Sequence, residues 1–150
     1  VRPGIGLYGT DSTGSGKLNL QTVTTLKSTV AQVKQVKKDG SVSYNRKGVV
    51  EKDSMIATIR IGYADGYPRR LGNGTGKVWV KQRLVPVIGT VCMDMIMADV
   101  SEVPDIQEGD EVIIFGRQLP VEQLAKWAGT IPYEIMTGIS QRVKRVFFEE

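Results

Sequence analysis

Met55, Ala57, Ile59 and Ile61 recur at every second position, the period of a half-buried β-strand. The run stops at Gly62 and gives way to Tyr-Ala-Asp-Gly-Tyr-Pro-Arg-Arg. Gly62 and Gly66 admit backbone angles that other residues resist, and Pro68 cannot continue a helix or a central strand. Tyr63, Asp65, Tyr67, Arg69 and Arg70 are therefore expected on a constrained loop at a sheet edge, the kind of place that carries function. A hairpin turn with incidental polar residues is the plain alternative, and the loop by itself does not decide between them.

In residues 22–37, Leu26, Val30, Val33 and Val36 have nearly helical spacings, but Thr and Val are dense, and β-branched residues favour a strand with a bulge. Asp39-Gly40 marks a turn, and the extended segment SVSYNR follows with Tyr44 inside it as a packing residue with a wet hydroxyl. Asn73-Gly74 is a hairpin dipeptide near which KVWV and LVPVIG should pair. TVCMDMIMADV reads as a strand with Val91, Met93, Met95 and Met97 on one face and Cys92, Asp94, Ile96 and Ala98 on the other. The methionines are expected as core filler. Asp94 needs a partner or a place at the strand's wet end.

EGDEVIIFG gives a turn and a further strand. LPVEQLAKWAG is a short helix with Val121, Leu124, Ala125 and Ala128 on one stripe, Pro120 in its first turn and Gly129 as its stop. TIPYEIMTG is a second helix, with Thr130 as N-cap and its end at Gly138. ISQRVKRVFFEE closes as a strand. The sum is a mostly β fold, a small barrel or sandwich of about eight strands with two short helices.

A chain of 150 residues is long enough for one domain with its own core. Its net charge of +4 and pI near 9.2 are mildly basic. Lys34, Lys37 and Lys38 cluster, as do Arg142, Lys144 and Arg145, but few aromatics interleave, so solvated surface is favoured over a nucleic-acid interface. No apolar run approaches membrane-spanning length, and no signal peptide is visible. The first residue is Val1, which fits a piece of a longer chain or a processed terminus. Cys92 stands alone, which excludes an internal disulfide and suits a reducing, cytoplasmic setting. Its apolar neighbours make it a packed thiol.

Histidine is absent, which excludes an internal Ser-His-Asp or Cys-His site and any histidine-ligated metal. Acid–base chemistry falls to Tyr, Lys, Asp, Glu or a cofactor. At the N-terminus, VRPGIGLYG is either a turn that offers backbone N–H groups to an anion or plain turn chemistry. TDSTGSGK looks like a linker or exposed loop, and neither Lys17 nor Lys77 lies in a nucleotide P-loop frame.

Taken together, VRPGIGLYG, SVSYNR, IGYADGYPR, GTVCMDM, GDEV, GTIPYEI and ISQRVKR resemble, in order, the signatures of the alanine racemase family. The resemblance is to the C-terminal part of such enzymes, whose N-terminal (β/α)₈ barrel binds pyridoxal 5′-phosphate (PLP). It implies that residues 1–12 are the end of that barrel and a linker, and residues 13–150 the β domain. It further implies a homodimer in which the β domain of one subunit completes the active site of the other, with a small amino acid as substrate.

On that resemblance Tyr44 is the catalytic tyrosine. Tyr63 and Asp94 line the substrate entrance, and Met93 contacts the substrate carboxylate through its backbone N–H. Arg2 hydrogen-bonds the PLP pyridine nitrogen, and Gly4 and Ile5 hold the phosphate with their N–H groups. No metal is implied. Racemisation needs two acid–base groups on opposite faces of the substrate, here Tyr44 and the barrel's Schiff-base lysine, which lies outside this chain.

The chain departs from the family at Asn45, where Gly is usual, and at Gln141, where some members carry a tyrosine that touches the phosphate. Without the barrel, the chain alone is expected neither to racemise alanine nor to hold PLP tightly. A serine or broad-specificity racemase, and a non-catalytic β module used for association, remain alternatives at this point.

Overall fold

The alternating runs close into a barrel in the computed structural model, which describes residues 2–11, 13 and 18–148. The strands are β1 (Leu26–Val36), β2 (Ser41–Val42), β3 (Gly48–Val49), β4 (Ser54–Ile59), β5 (Lys77–Val80), β6 (Arg83–Ile88), β7 (Ile96–Asp99) and β8 (Glu111–Phe115). Helices α1 (Val121–Ala128) and α2 (Pro132–Thr137) follow. The barrel order is β1-β4-β7-β6-β5-β8, closing back on β1 with antiparallel neighbours throughout. β2 and β3 form a separate two-stranded ribbon.

Closure depends on β1. Its first residues, Leu26 to Thr29, pair with β8, and Val30 to Val36 pair with β4. The register shifts between Leu26 and Lys27 and again between Val30 and Gln32, so the bulge expected from the sequence is present. Bulges bend a strand and raise its twist, which lets one strand serve two sheets. β6 makes the opposite corner, pairing with β5 through Arg83–Pro86 and with β7 through Val87 and Ile88. Alternate residues point inward: Val78 and Val80, Val85 and Val87, Ile96 and Ala98, and Val112 and Ile114 are all buried in one core. The stripe Val121, Leu124, Ala125 and Ala128 of α1 joins this core. Gly129 ends the helix in the left-handed conformation at φ 61°.

Several local expectations are corrected. Tyr44 is not in an extended segment. β2 ends at Val42, and Tyr44–Arg46 is a 3-10 turn with positive φ just before it at Ser43 (71°) and within it at Asn45 (56°) and Arg46 (54°). Asn73-Gly74 does form a turn, but the β5–β6 hairpin is closed by Lys81 and Gln82, both at positive φ. Only Ile96–Asp99 of TVCMDMIMADV is a strand. A turn bond from Cys92 N–H to the Met95 carbonyl (3.0 Å) breaks the alternation, so Met93 and Met95 are exposed rather than core filler.

The C-terminal expectations change too. Thr130 does not cap α2. Its N–H bonds the Ala125 carbonyl (3.0 Å) as part of the end of α1, and Ile131 takes the N-cap position. Residues 139–148 form no strand, because the barrel is already closed and offers no edge to pair with. The linker segment TDSTGSGK falls mostly outside the described residues. Among the described residues, no helix is long and apolar enough to cross a membrane.

Candidate functional site

An open cleft of about 400 Å³ lies between the 3-10 turn after β2 and the loop before β7. Ser43, Tyr44, Cys92, Met93, Asp94, Met95 and Met97 line it. Tyr44 stands 62 % exposed on its wall. The ribbon that carries it is pressed against the barrel backbone to backbone: a Cβ on Gly48 would meet the Gly89 Cα at 2.9 Å. Ser43 is held at φ 71°, ψ 175°, a region normally reserved for glycine. Such a conformation costs roughly 1–3 kcal/mol and persists only where the surroundings enforce it. The enforcement is visible: Ser43 Oγ donates to the Thr90 carbonyl at 2.6 Å. The departure at Asn45 also has a local reason, because its φ of 56° is the left-handed region that Asn tolerates best after Gly. Cys92 is buried below, its Sγ 3.6 Å from the same Thr90 carbonyl, as expected of a packed thiol.

Tyr63 stands next to this cleft. The loop after β4 lies flat on the Cys92–Met93 backbone, where a Cβ on Gly62 would stand 2.3 Å from the Met93 carbonyl oxygen. Tyr63 N–H donates to the Cys92 carbonyl and Ala64 N–H to the Met93 carbonyl, both at 3.0 Å. Asp65 closes the turn by accepting from Gly62 N–H at 2.8 Å. Its other oxygen accepts from Arg142 Nε at 2.7 Å, while Arg142 Nη2 donates to Asp94. The two carboxylates, Asp65 foremost and then Asp94, hold the guanidinium proton more tightly than usual. Of the two expectations for Asp94, a partner or a wet position, both are met: it pairs with Arg142 and is 44 % exposed. Arg142 itself was hidden in a cluster read as solvated surface; nothing local in the sequence pairs it with acids at positions 65 and 94.

The remaining loop residues separate by role. Tyr67 is a core residue, 1 % exposed, and its hydroxyl finds no protein partner among the described residues. Burial pushes its pKa well above the usual phenol value. Arg70 Nη1 donates to the Ala128 carbonyl at the end of α1 (2.8 Å), and Arg69 points to solvent.

The N-terminal residues Arg2, Gly4 and Ile5 form a second place that takes no part in lining the cleft. Arg2 is exposed, Gly4 has φ 56°, and Ile5 is buried. Ile5 N–H donates to the Tyr133 hydroxyl of α2 at 3.2 Å, and a Cβ on Gly4 would meet that oxygen at 2.7 Å. The Tyr133 hydroxyl thus fills the space above Gly4 and takes the Ile5 N–H, and an anion at this turn would have to share or displace it. Gln141 is exposed. The structure therefore brings Tyr44, Met93 and Asp94 together with Tyr63 beside them, and places Arg2, Gly4 and Ile5 elsewhere.

Residues 23–147 match the family model for the alanine racemase C-terminal domain. The chain is 48 % identical to an alanine racemase of Geobacter sulfurreducens over 98 % of its length, covering 40 % of that protein. It is 42 % identical to one from Clostridium tetani, of which it covers 41 %. Among solved structures, it superposes on the biosynthetic alanine racemase of Pseudomonas aeruginosa with a TM-score of 0.91 at 34 % identity, covering 97 % of this chain and 41 % of that one. For the Bartonella henselae alanine racemase with covalently bound pyridoxal phosphate the TM-score is 0.92 at 35 % identity, covering 97 % of this chain and 40 % of that one. The chain spans about two fifths of the length of these relatives.

Proposed function

We propose, from the premise that this chain belongs to the alanine racemase family as its C-terminal domain, that it supplies the tyrosine base of a PLP-dependent enzyme interconverting L- and D-alanine. The observation that carries this reading is Tyr44: a phenol held by strained backbone on the wall of an open cleft, in reach of a second body. A tyrosine meant only for packing would not be presented this way. The two separate groups of residues favour a homodimer in which Tyr44 reaches a partner's barrel while Arg2, Gly4 and Ile5 serve the barrel of their own chain. Residues 1–12 are then the end of that barrel with its linker, and 13–150 the β domain.

The residues present fit PLP. Gly4 has no Cβ to obstruct a phosphate, the Tyr133 hydroxyl that now takes the Ile5 N–H would give way to it or donate to it, and Arg2 is exposed beside them. PLP, when bound, supplies the electron sink that makes the substrate Cα proton removable. The chain's own contribution is positional and acid–base. The backbone of Met93 meets the substrate carboxylate, and Tyr63 and Asp94 bound the way in. Tyr44 Oη takes or returns the proton on one face of Cα, the barrel lysine serving the other. A phenol working as a base near neutral pH needs positive charge or hydrogen bonds at its oxygen, which the completed dimer would provide. The product D-alanine would serve peptidoglycan synthesis in the cytoplasm.

Tyr44→Phe in the full-length enzyme tests the reading. Loss of one acid–base group costs about 10²- to 10⁴-fold in rate, so racemisation from both L- and D-alanine should fall by that order. Unchanged turnover in both directions would remove Tyr44 from the chemistry. The isolated chain, mixed with PLP and L-alanine and followed by optical rotation, should show no turnover.

A further inference from the structure

We infer that Arg142 is a positioning residue for the substrate entrance: by joining Asp65 to Asp94 it locks the Tyr63 loop against the Met93 loop. The inference rests on the reading of the Tyr44 cleft as a substrate site, but the geometry stands independently of it.

Three segments meet at this guanidinium. One carries Tyr63 and ends its turn on Asp65. One carries Met93 and Asp94 ahead of β7. The third, residues 139–146, is not a strand and lies outside the barrel ladder. Arg142 Nε donates to Asp65 and Nη2 to Asp94, so one planar group spans two loops. The third segment is itself tied down on the same loop, with Ser140 N–H donating to the Asp65 carbonyl at 3.0 Å. The loop before β7 has no ladder pairing until Ile96. Its fastening to the Tyr63 loop is the two backbone bonds from Tyr63 and Ala64 together with the Arg142 bridge.

Exposure argues that the outer arm of the bridge adds little stability, Asp65 on the inner arm being the more buried partner at 14 %. Arg142 and Asp94 are nearly half exposed, at 46 % and 44 %, and exposed ion pairs add little to folding. What such a bridge can do is select one relative placement of two loops. It also requires arginine. The fork presents separate N–H groups in fixed directions to two carboxylates, whereas an ammonium is a single point charge on a flexible stem. A shift between these loops would move the Met93 N–H relative to Tyr63, the two groups proposed to meet substrate, while leaving Tyr44 on its own ribbon.

The test uses the full-length protein with Arg142→Gln and Arg142→Lys, read by hydrogen exchange and by steady-state kinetics. Local opening is reported by exchange at the amides concerned. Arg142→Gln should speed exchange in peptides covering 62–66 and 92–95 by about tenfold and leave the β4, β6 and β8 amides unchanged, with the lysine variant between it and wild type. KM for alanine should rise by about five- to tenfold in the glutamine variant, with kcat held within about twofold, the pattern of lost binding rather than lost chemistry. Unchanged exchange in both loops overturns the inference. So does uniform acceleration across the barrel, or a fall in kcat at constant KM. If the wild-type protein does not racemise alanine, the Tyr44 reading falls, and the exchange measurement alone decides the role of Arg142.

Discussion

Gly62→Ala is the sharpest structural perturbation of the site. Gly62 has φ −145° and ψ −167°, an extended conformation open to any residue, so the cost lies in space rather than in backbone angle. The added Cβ would stand 2.3 Å from the Met93 carbonyl oxygen and 2.4 Å from that of Cys92. Ordinary contact requires the loops to part by roughly 1 Å. The two 3.0 Å bonds from Tyr63 and Ala64 to those same carbonyls would then stretch to about 4 Å, beyond hydrogen-bonding range. Overpacking costs about 1–3 kcal/mol, and each lost bond about 0.5–1.5 kcal/mol. The expected destabilisation is therefore about 2–6 kcal/mol. Urea unfolding of the chain, followed by the fluorescence of Trp79 and Trp127, measures it. A loss below about 1 kcal/mol at unchanged m-value would show that the loops part freely, and the close approach would then have no role in fixing Tyr63 beside Met93.

Tyr67→Phe removes a buried hydroxyl that has no protein partner among the described residues, so stability should be unchanged or rise by up to about 1 kcal/mol; a clear loss in thermal midpoint would reveal a partner. Gly66→Ala forces a Cβ onto backbone at φ 106° and 2.4 Å from the Gly138 oxygen, and should cost at least about 2 kcal/mol in the same urea assay. Tyr133→Phe leaves the N–H of buried Ile5 without its acceptor and should lower stability by about 1–3 kcal/mol, visible as a lower thermal midpoint.

Acid should weaken the fold through two carboxyls. The Asp53 pKa is lowered by its hydrogen bond from Lys37 and then by the Lys38 N–H. At Asp110 burial works upward, but the Gln107 N–H and Lys81 outweigh it and the net shift is downward. A carboxyl with a depressed folded pKa stabilises above its unfolded value, here 3.8, and loses that contribution as pH falls through the folded value. Urea midpoints at about pH 6 and pH 3 should show the loss, and Asp110→Asn should flatten it.

What the residue pattern disclosed, and what it hid, follows from the range of the interactions. Alternation marked β4, and turn residues beside short apolar runs marked β5, β6 and β8, because both signals act over a few residues. Pro120 and Gly129 bounded α1 because caps act within a turn. The motif order identified the family, and the roles proposed for Tyr44 and Met93 rest on that resemblance. The same local rule misjudged residues 91–95, where a single turn bond from Cys92 to Met95 overrides a perfect alternation and turns two methionines to solvent. It misjudged the tail as well, since pairing depends on whether an edge is free and not on the tail's own residues. Arg142 was invisible for the same reason: its partners lie 77 and 48 positions away. The N–H of Ile5 and the hydroxyl of Tyr133 are 128 positions apart, a contact that no spacing rule reaches.

The double duty of β1 bears on where this chain can be cut. Deleting the residues up to position 36 would strip a neighbour from β4 and from β8 together, leaving two bare strand borders on a shell that otherwise has none. Borders of that kind recruit other chains. Shortened versions beginning beyond Val36 should therefore be lost to precipitation, and the working start of a recombinant domain lies ahead of Leu26.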